Sequence, residues 1–100
     1  MIVVTRHSVS SDPEATAEFQ QQARTVLEAF AECAGYQRGT LARCADDPQL
    51  WTIVTEWAGP GYYRRALSAF SVRMVAVPLL SEAWDEPSAF EKWVEVPSAS

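Results

Sequence analysis

The succession of hydrophobic patterns along this 100-residue chain predicts an α+β domain of ferredoxin-like order, β-α-β-β-α-β, with helices on one face of a four-stranded antiparallel sheet. Three observations carry that expectation. Segments rich in β-branched and aromatic residues with period-two faces mark strands at Ile2–Val9, Tyr36–Ala45, Leu50–Trp57 and Ser88–Val96. Between the first two, Phe19, Ala23, Val26, Leu27, Phe30 and Ala34 recur at intervals of three and four, the signature of one amphipathic helix. The Asp46-Asp47-Pro48 turn is too short for a crossover, so the second and third strands must form an antiparallel hairpin.

Each element has a local reason. In the first strand Ile2, Val4, Arg6 and Ser8 share one face, and Val3, Thr5, His7 and Val9 share the other. Ser11 or Asp12 can cap the following helix, Pro13 suits its first position, Glu14 adds favourable charge to its first turn, and Gly35 supplies the left-handed residue that stops it. The second strand is loosened at Gly39. The third, Leu50–Trp57, is apolar on both faces: Trp51, Ile53, Thr55 and Trp57 lie on one, and Leu50, Thr52, Val54 and Glu56 on the other. Gly59-Pro60-Gly61 ends it, and a short helix runs through Tyr62–Leu67. Ser71 is placed to cap another from Val72 to Ala83, which Pro78 should bend or divide. Asp85-Glu86-Pro87 then leads to the fourth strand, so residues 1–96 form a single domain and 97–100 a tail.

With both helices on one sheet face, Ile2, Val4, Leu50 and Val54 would leave the other face apolar and bare. That implies a homodimer in which two sheets close face to face into a barrel-like core. The net charge of −5, with arginines scattered singly or as Arg64-Arg65, gives no footprint for nucleic acid. No apolar run is long enough to span a membrane, and Met1–His7 lacks the features of a signal peptide, so a cytoplasmic location is expected. Cys33 and Cys44 lack metal or redox spacing and read as small hydrophobes. Gly59-Pro60-Gly61 is no phosphate loop, and Asp46-Asp47 and Asp85-Glu86 read as turns.

The segments Asp46-Asp47-Pro48 with Trp51 and Thr55-Glu56-Trp57, then Tyr63-Arg64-Arg65-Ala66-Leu67-Ser68, Pro78-Leu79-Leu80 and Asp85-Glu86-Pro87-Ser88-Ala89-Phe90-Glu91 resemble the antibiotic biosynthesis monooxygenase family of the dimeric α+β barrel superfamily. The resemblance runs from Ile2 to Phe90. It implies a cofactor-independent monooxygenase that oxidises a small phenolic, anthrone or quinol-like compound with molecular oxygen, needing neither flavin nor metal. Trp57 and Tyr63 reproduce the family's spacing of a tryptophan at the end of strand three and a tyrosine six residues later, rings that could line a flat slot or simply fill the core. Arg73 stands as a counterpart of the relatives' helix arginine. Ile53 departs from the pattern, because polyketide-oxidising members carry an asparagine there.

His7, the only histidine, is a candidate base on the strand-one face shared with Thr5, and Trp51 and Thr55 are candidate substrate contacts beside Trp57. The predicted catalytic set is therefore His7, Trp57, Tyr63 and Arg73, converging on one sheltered hollow. Two other readings compete: a non-catalytic barrel that binds an aromatic metabolite, and a heme-degrading relative. The second lacks the later-helix histidine that would bind iron, since Ser71–Ala83 contains none.

Overall fold

Ile2–Ser8 forms β1, one of the two central strands of a four-stranded sheet in the computed structural model, which describes residues 1–100. The remaining elements are α1 (Pro13–Ala31), β2 (Tyr36–Arg43), β3 (Leu50–Trp57), α2 (Pro60–Ser68), α3 (Phe70–Val75), α4 (Val77–Leu80) and β4 (Ala89–Phe90). Strand order is β2-β3-β1-β4, antiparallel throughout. The split β-α-β plan predicted from the patterns is thus present, with β3 bounded as expected.

The register decides what lies under the helices. Val3 pairs with Thr55, Thr5 with Ile53 and His7 with Trp51, so these six side chains share one face and are all buried. Against them α1 buries Phe19, Ala23, Val26 and Phe30, and the later helices add Ala66, Val72, Ala76 and Leu79. Burying this one-sided apolar set is the main stabilising contribution, at roughly 25 cal/mol per Å² of apolar surface. On the opposite face Ile2, Val4, Leu50 and Val54 remain only half buried, edged by an Arg38–Glu56 ion pair at 3.0 Å.

Helix α1 begins as its sequence dictates: the Asp12 carboxylate accepts the Ala15 N–H at 3.2 Å, and Pro13 follows at the first position. It ends at Ala31, four residues before the glycine expected to stop it. Gly35 instead makes the turn into β2, with φ +85°. The irregularity in β2 falls between Tyr36 and Arg38, and Gly39 pairs regularly with Thr55.

The single helix expected over Val72–Ala83 is two. It divides at Ala76, and Pro78 sits in the first turn of α4, where its missing N–H costs nothing. Ala69, with no side-chain acceptor, occupies the cap position of α3, and Ser71 lies inside the helix.

The fourth strand is far shorter than its alternation predicted: two residues instead of Ser88–Val96. The reason is where β1 begins. Running antiparallel, Ala89 meets Val3 and Phe90 meets Ile2, so the next partner would be Met1, already bonded in both directions to the Trp57 backbone. Beyond Phe90 no partner strand remains, and Trp93, Val94 and Val96 are exposed. The rest of the β1 edge is taken by a strap: Val4 N–H donates to Ser88 O at 2.7 Å, and Trp84 N–H to Arg6 O at 2.9 Å. No helix is long and apolar enough to cross a membrane.

Candidate active site

A hollow of about 330 Å³ opens between β1, the start of α2, the end of α4 and the strap that follows it. Thr5, Tyr63, Leu80, Ser81, Trp84 and Glu86 are among its lining residues. Three larger hollows lie elsewhere: two of about 470 Å³, one between α1 and β2 and one on the open sheet face, and one of about 420 Å³ between the end of α1 and α2. None is bordered by Tyr63 or His7, so chemistry and not size singles out the smaller one.

Tyr63 reaches this hollow because Pro60 starts α2 immediately after β3 and the helix turns its first coil back over the strand end. Its ring rests on Trp57 at 5.6 Å and on Phe30 at 5.9 Å. Burial raises the phenol above its ordinary range, which keeps it a neutral hydrogen-bond donor at pH 7.

Trp57 stands behind the tyrosine, 1% exposed. Edge contacts to Phe30 and Tyr36 hold its ring, at 5.5 and 5.6 Å, and its indole N–H donates to Thr55 Oγ1 at 2.9 Å. That bond also occupies the buried Thr55 hydroxyl. The structure therefore places Trp57 and Thr55 in the wall supporting Tyr63, not on the surface of the hollow.

His7 is also buried, facing Phe19 at 5.5 Å, and Phe19 in turn meets Trp51 at 5.7 Å. The hydrogen bond of the imidazole links Nε2 to Thr5 Oγ1 at 2.9 Å. Desolvation holds the ring below its ordinary 6.5, with the Glu82 carboxylate pulling weakly the other way. His7 thus stays neutral at pH 7 and is one hydroxyl removed from the hollow.

Trp51 belongs to this second cluster, capped by the Arg43 guanidinium at 5.4 Å from its ring, and it lies outside the hollow. Its Nε1 is buried without a partner. Arg73 is exposed on α3, on a helix whose buried residue is Val72.

Of the four predicted catalytic side chains, only Tyr63 lines the hollow directly. His7 is joined to it through Thr5, Trp57 through ring contact, and Arg73 is not drawn in. Sequence reasoning missed Thr5 and Trp84 as lining residues. Thr5 had a signal, its shared face with His7. Trp84 had none, since it lies in irregular chain and is placed by tertiary bonds: its indole donates to Ser8 Oγ at 2.9 Å, and Arg6 lies over its ring at 5.9 Å while pairing with Glu86 at 3.4 Å. No group of three or more His, Cys, Asp or Glu side chains is placed to hold a metal ion.

The sequence profile of the antibiotic biosynthesis monooxygenase family matches residues 1–66, from β1 through most of α2, including Thr5, His7, Trp57 and Tyr63. The chain belongs to that family. Its class of activity is accordingly that of a monooxygenase.

Among solved structures the chain is similar to SnoaB, a cofactor-independent oxygenase from Streptomyces nogalater, at 25% identity over 97% of this chain and 96% of that one. The TM-score is 0.77 for a variant of SnoaB and 0.75 for a second structure. A conserved protein from Methanosarcina mazei Go1 is 23% identical over 88% of this chain and 84% of its own, with a TM-score of 0.69. A Mycobacterium tuberculosis protein is 13% identical over 99% and 97% of the two chains, with a TM-score of 0.67. At those identities the likeness is one of fold. No curated protein sequence matches the chain.

Proposed function

We propose that this family member is a cofactor-independent monooxygenase that oxidises a small, flat phenolic, anthrone or quinol-like compound with molecular oxygen in the hollow beside Tyr63. One observation carries the reading: a neutral phenol and a hydroxyl bonded to a neutral imidazole line the same aromatic-backed hollow.

Molecular oxygen reacts slowly with closed-shell organic molecules, but an electron-rich carbanion or phenolate can transfer one electron to it. The protein then has three tasks: to remove a proton, to hold the resulting anion, and to keep water away. His7 is the base. Tyr63 donates its O–H to the substrate oxygen on which negative charge accumulates. Trp57, Phe30 and Tyr36 form a rigid apolar backing, and Trp84 borders the hollow on the side of the strap. For an anthrone methylene the balance is complete: the carbanion carbon forms a C–O bond to dioxygen, the peroxide O–O bond breaks, and the products are a carbonyl and one water.

A second copy of the chain belongs to this proposal. The face bearing Ile2, Val4, Leu50 and Val54 is the surface against which it would pack, completing a closed barrel core.

The competing reading, a barrel that binds an aromatic metabolite without oxidising it, is favoured by Ile53, which offers no polar atom beside the site. Oxygen uptake on an electrode, with 1,8-dihydroxyanthrone and a hydroquinone series, separates the two. Uptake matched by carbonyl product supports the oxygenase, whereas saturable binding without uptake across the series overturns it.

A further inference from the structure

The base assigned above cannot touch a substrate, because the His7 ring is 3% exposed and is packed under α1 against Phe19. One polar atom stands between it and the hollow. Thr5 lines the hollow and its Oγ1 lies 2.9 Å from His7 Nε2. Across the strand pair, Ile53 is the register partner of Thr5 and carries no polar atom. The adjacent hydroxyl on that face, Thr55, is occupied by the Trp57 indole. Thr5 is thus the residue of this sheet face that both lines the hollow and bonds the imidazole through its hydroxyl.

We propose that Thr5 is the catalytic proton acceptor of this site, receiving the substrate's proton on Oγ1 while passing its own to His7 Nε2. The inference rests on the oxygenase reading above. In the step, the substrate O–H or activated C–H bond breaks and its electron pair stays on the substrate. A new O–H bond forms at Thr5, the old one breaks, and an N–H bond forms at Nε2. The products are a substrate anion, an unchanged threonine and an imidazolium.

The step requires the neutral ring to carry its proton on Nδ1, leaving Nε2 as acceptor. It also narrows the substrate class: the acidic hydrogen must lie over the middle of β1, while the oxygen that gains charge lies toward Tyr63. The charged and titratable groups around the relay are few. Glu82, after α4, is the one charged group whose field reaches the imidazole, favouring its cationic form against the larger effect of burial. Tyr63 from α2 and Asp85 and Glu86 from the strap border the hollow, with Arg6 paired to Glu86. From α1 and β3 the cluster receives only the rings of Phe19 and Trp51.

Two measurements on the full chain test it. Nitrogen-15 NMR of the histidine ring should show Nε2 unprotonated and Nδ1 protonated at pH 7.5 (roughly one unit above the ordinary histidine value). A ring protonated on Nε2 would overturn the relay whether or not turnover is found. With 1,8-dihydroxyanthrone as probe, Thr5→Val should lower kcat about 100-fold at nearly unchanged KM and abolish the acidic limb of the pH profile, as expected for loss of one proton-transfer group. Thr5→Ser should keep the limb and stay within about tenfold of wild type. A Thr5→Val enzyme that retains both rate and limb rejects the proposal. Absence of turnover by the wild-type chain across the anthrone and hydroquinone series would instead count against the oxygenase reading, and the ring tautomer would then decide the relay alone.

Discussion

Tyr63 and His7 are each defined by what burial does to their protons. Burial favours the neutral phenol, so Tyr63 can give a hydrogen bond to an oxyanion without itself ionising. Replacing it by Phe should reduce kcat by about 100-fold, typical of losing one donor at a developing charge, while the ring contacts with Trp57 and Phe30 keep the fold intact. Steady-state oxygen uptake checks this. Burial also favours the neutral imidazole, which has a consequence for stability. Because the folded value of His7 lies below its ordinary 6.5, the unfolded chain binds the proton more readily. Its contribution is therefore full above about pH 6.5, lost as the pH falls toward the lowered folded value, and constant below it. Melting curves between roughly pH 7.5 and 5 should show Tm falling with acid in the wild type. The fall should be shallower in His7→Gln, and an equal slope would contradict it.

At the scale of elements, the joints are where single changes should be felt most. Gly35 turns the chain from α1 into β2 at a positive φ, and a Cβ there would overlap the Tyr62 ring on α2. Gly35→Ala should cost about 1–3 kcal/mol through backbone strain and this clash together, seen as a lower urea midpoint. Asp12→Ala, which removes the carboxylate bonded to Ala15 N–H, should cost only about 1 kcal/mol, because other N-terminal amides of α1 can turn to water. The strap between α4 and β4 follows a different logic, with no repeating ladder. The Trp84 and Ser88 backbone bonds to β1, the Trp84–Ser8 side-chain bond and the Arg6–Glu86 pair hold it across one side of the hollow. Pro78 belongs to this design, since dividing the helix at Ala76 lets Leu79 turn inward while the chain bends toward the strap.

For the whole molecule, the decisive contrast is between the two sheet faces. One carries the core; the other presents Ile2, Val4, Leu50 and Val54 half buried, as expected of a surface that closes against a second copy. Val54→Asp would place a charge at the centre of that face without touching the hollow. It should weaken self-association at least tenfold, about 1.4 kcal/mol, in sedimentation velocity while leaving the circular dichroism spectrum unchanged. Identical sedimentation of variant and wild type would remove the dimer from the proposal.

Periodicity is a local property, so the order of strands and helices, the bounds of β3, a cap at Ser11 or Asp12, a bend or break near Pro78 and the inward face shared by Thr5, His7, Trp51 and Trp57 were all legible from the amino-acid sequence. Pairing and contact are not local. Whether Ser88–Val96 could be a strand depended on how much of β1 lay beside it. Whether His7, Trp57 and Tyr63 met depended on which hydroxyls and rings came between them. The chain by itself determined which face each side chain takes, because that follows from backbone geometry. Only the tertiary structure decided that Tyr63 faces the hollow, Trp57 stands behind it and His7 reaches it through Thr5, because those relations arise from packing between segments remote in sequence.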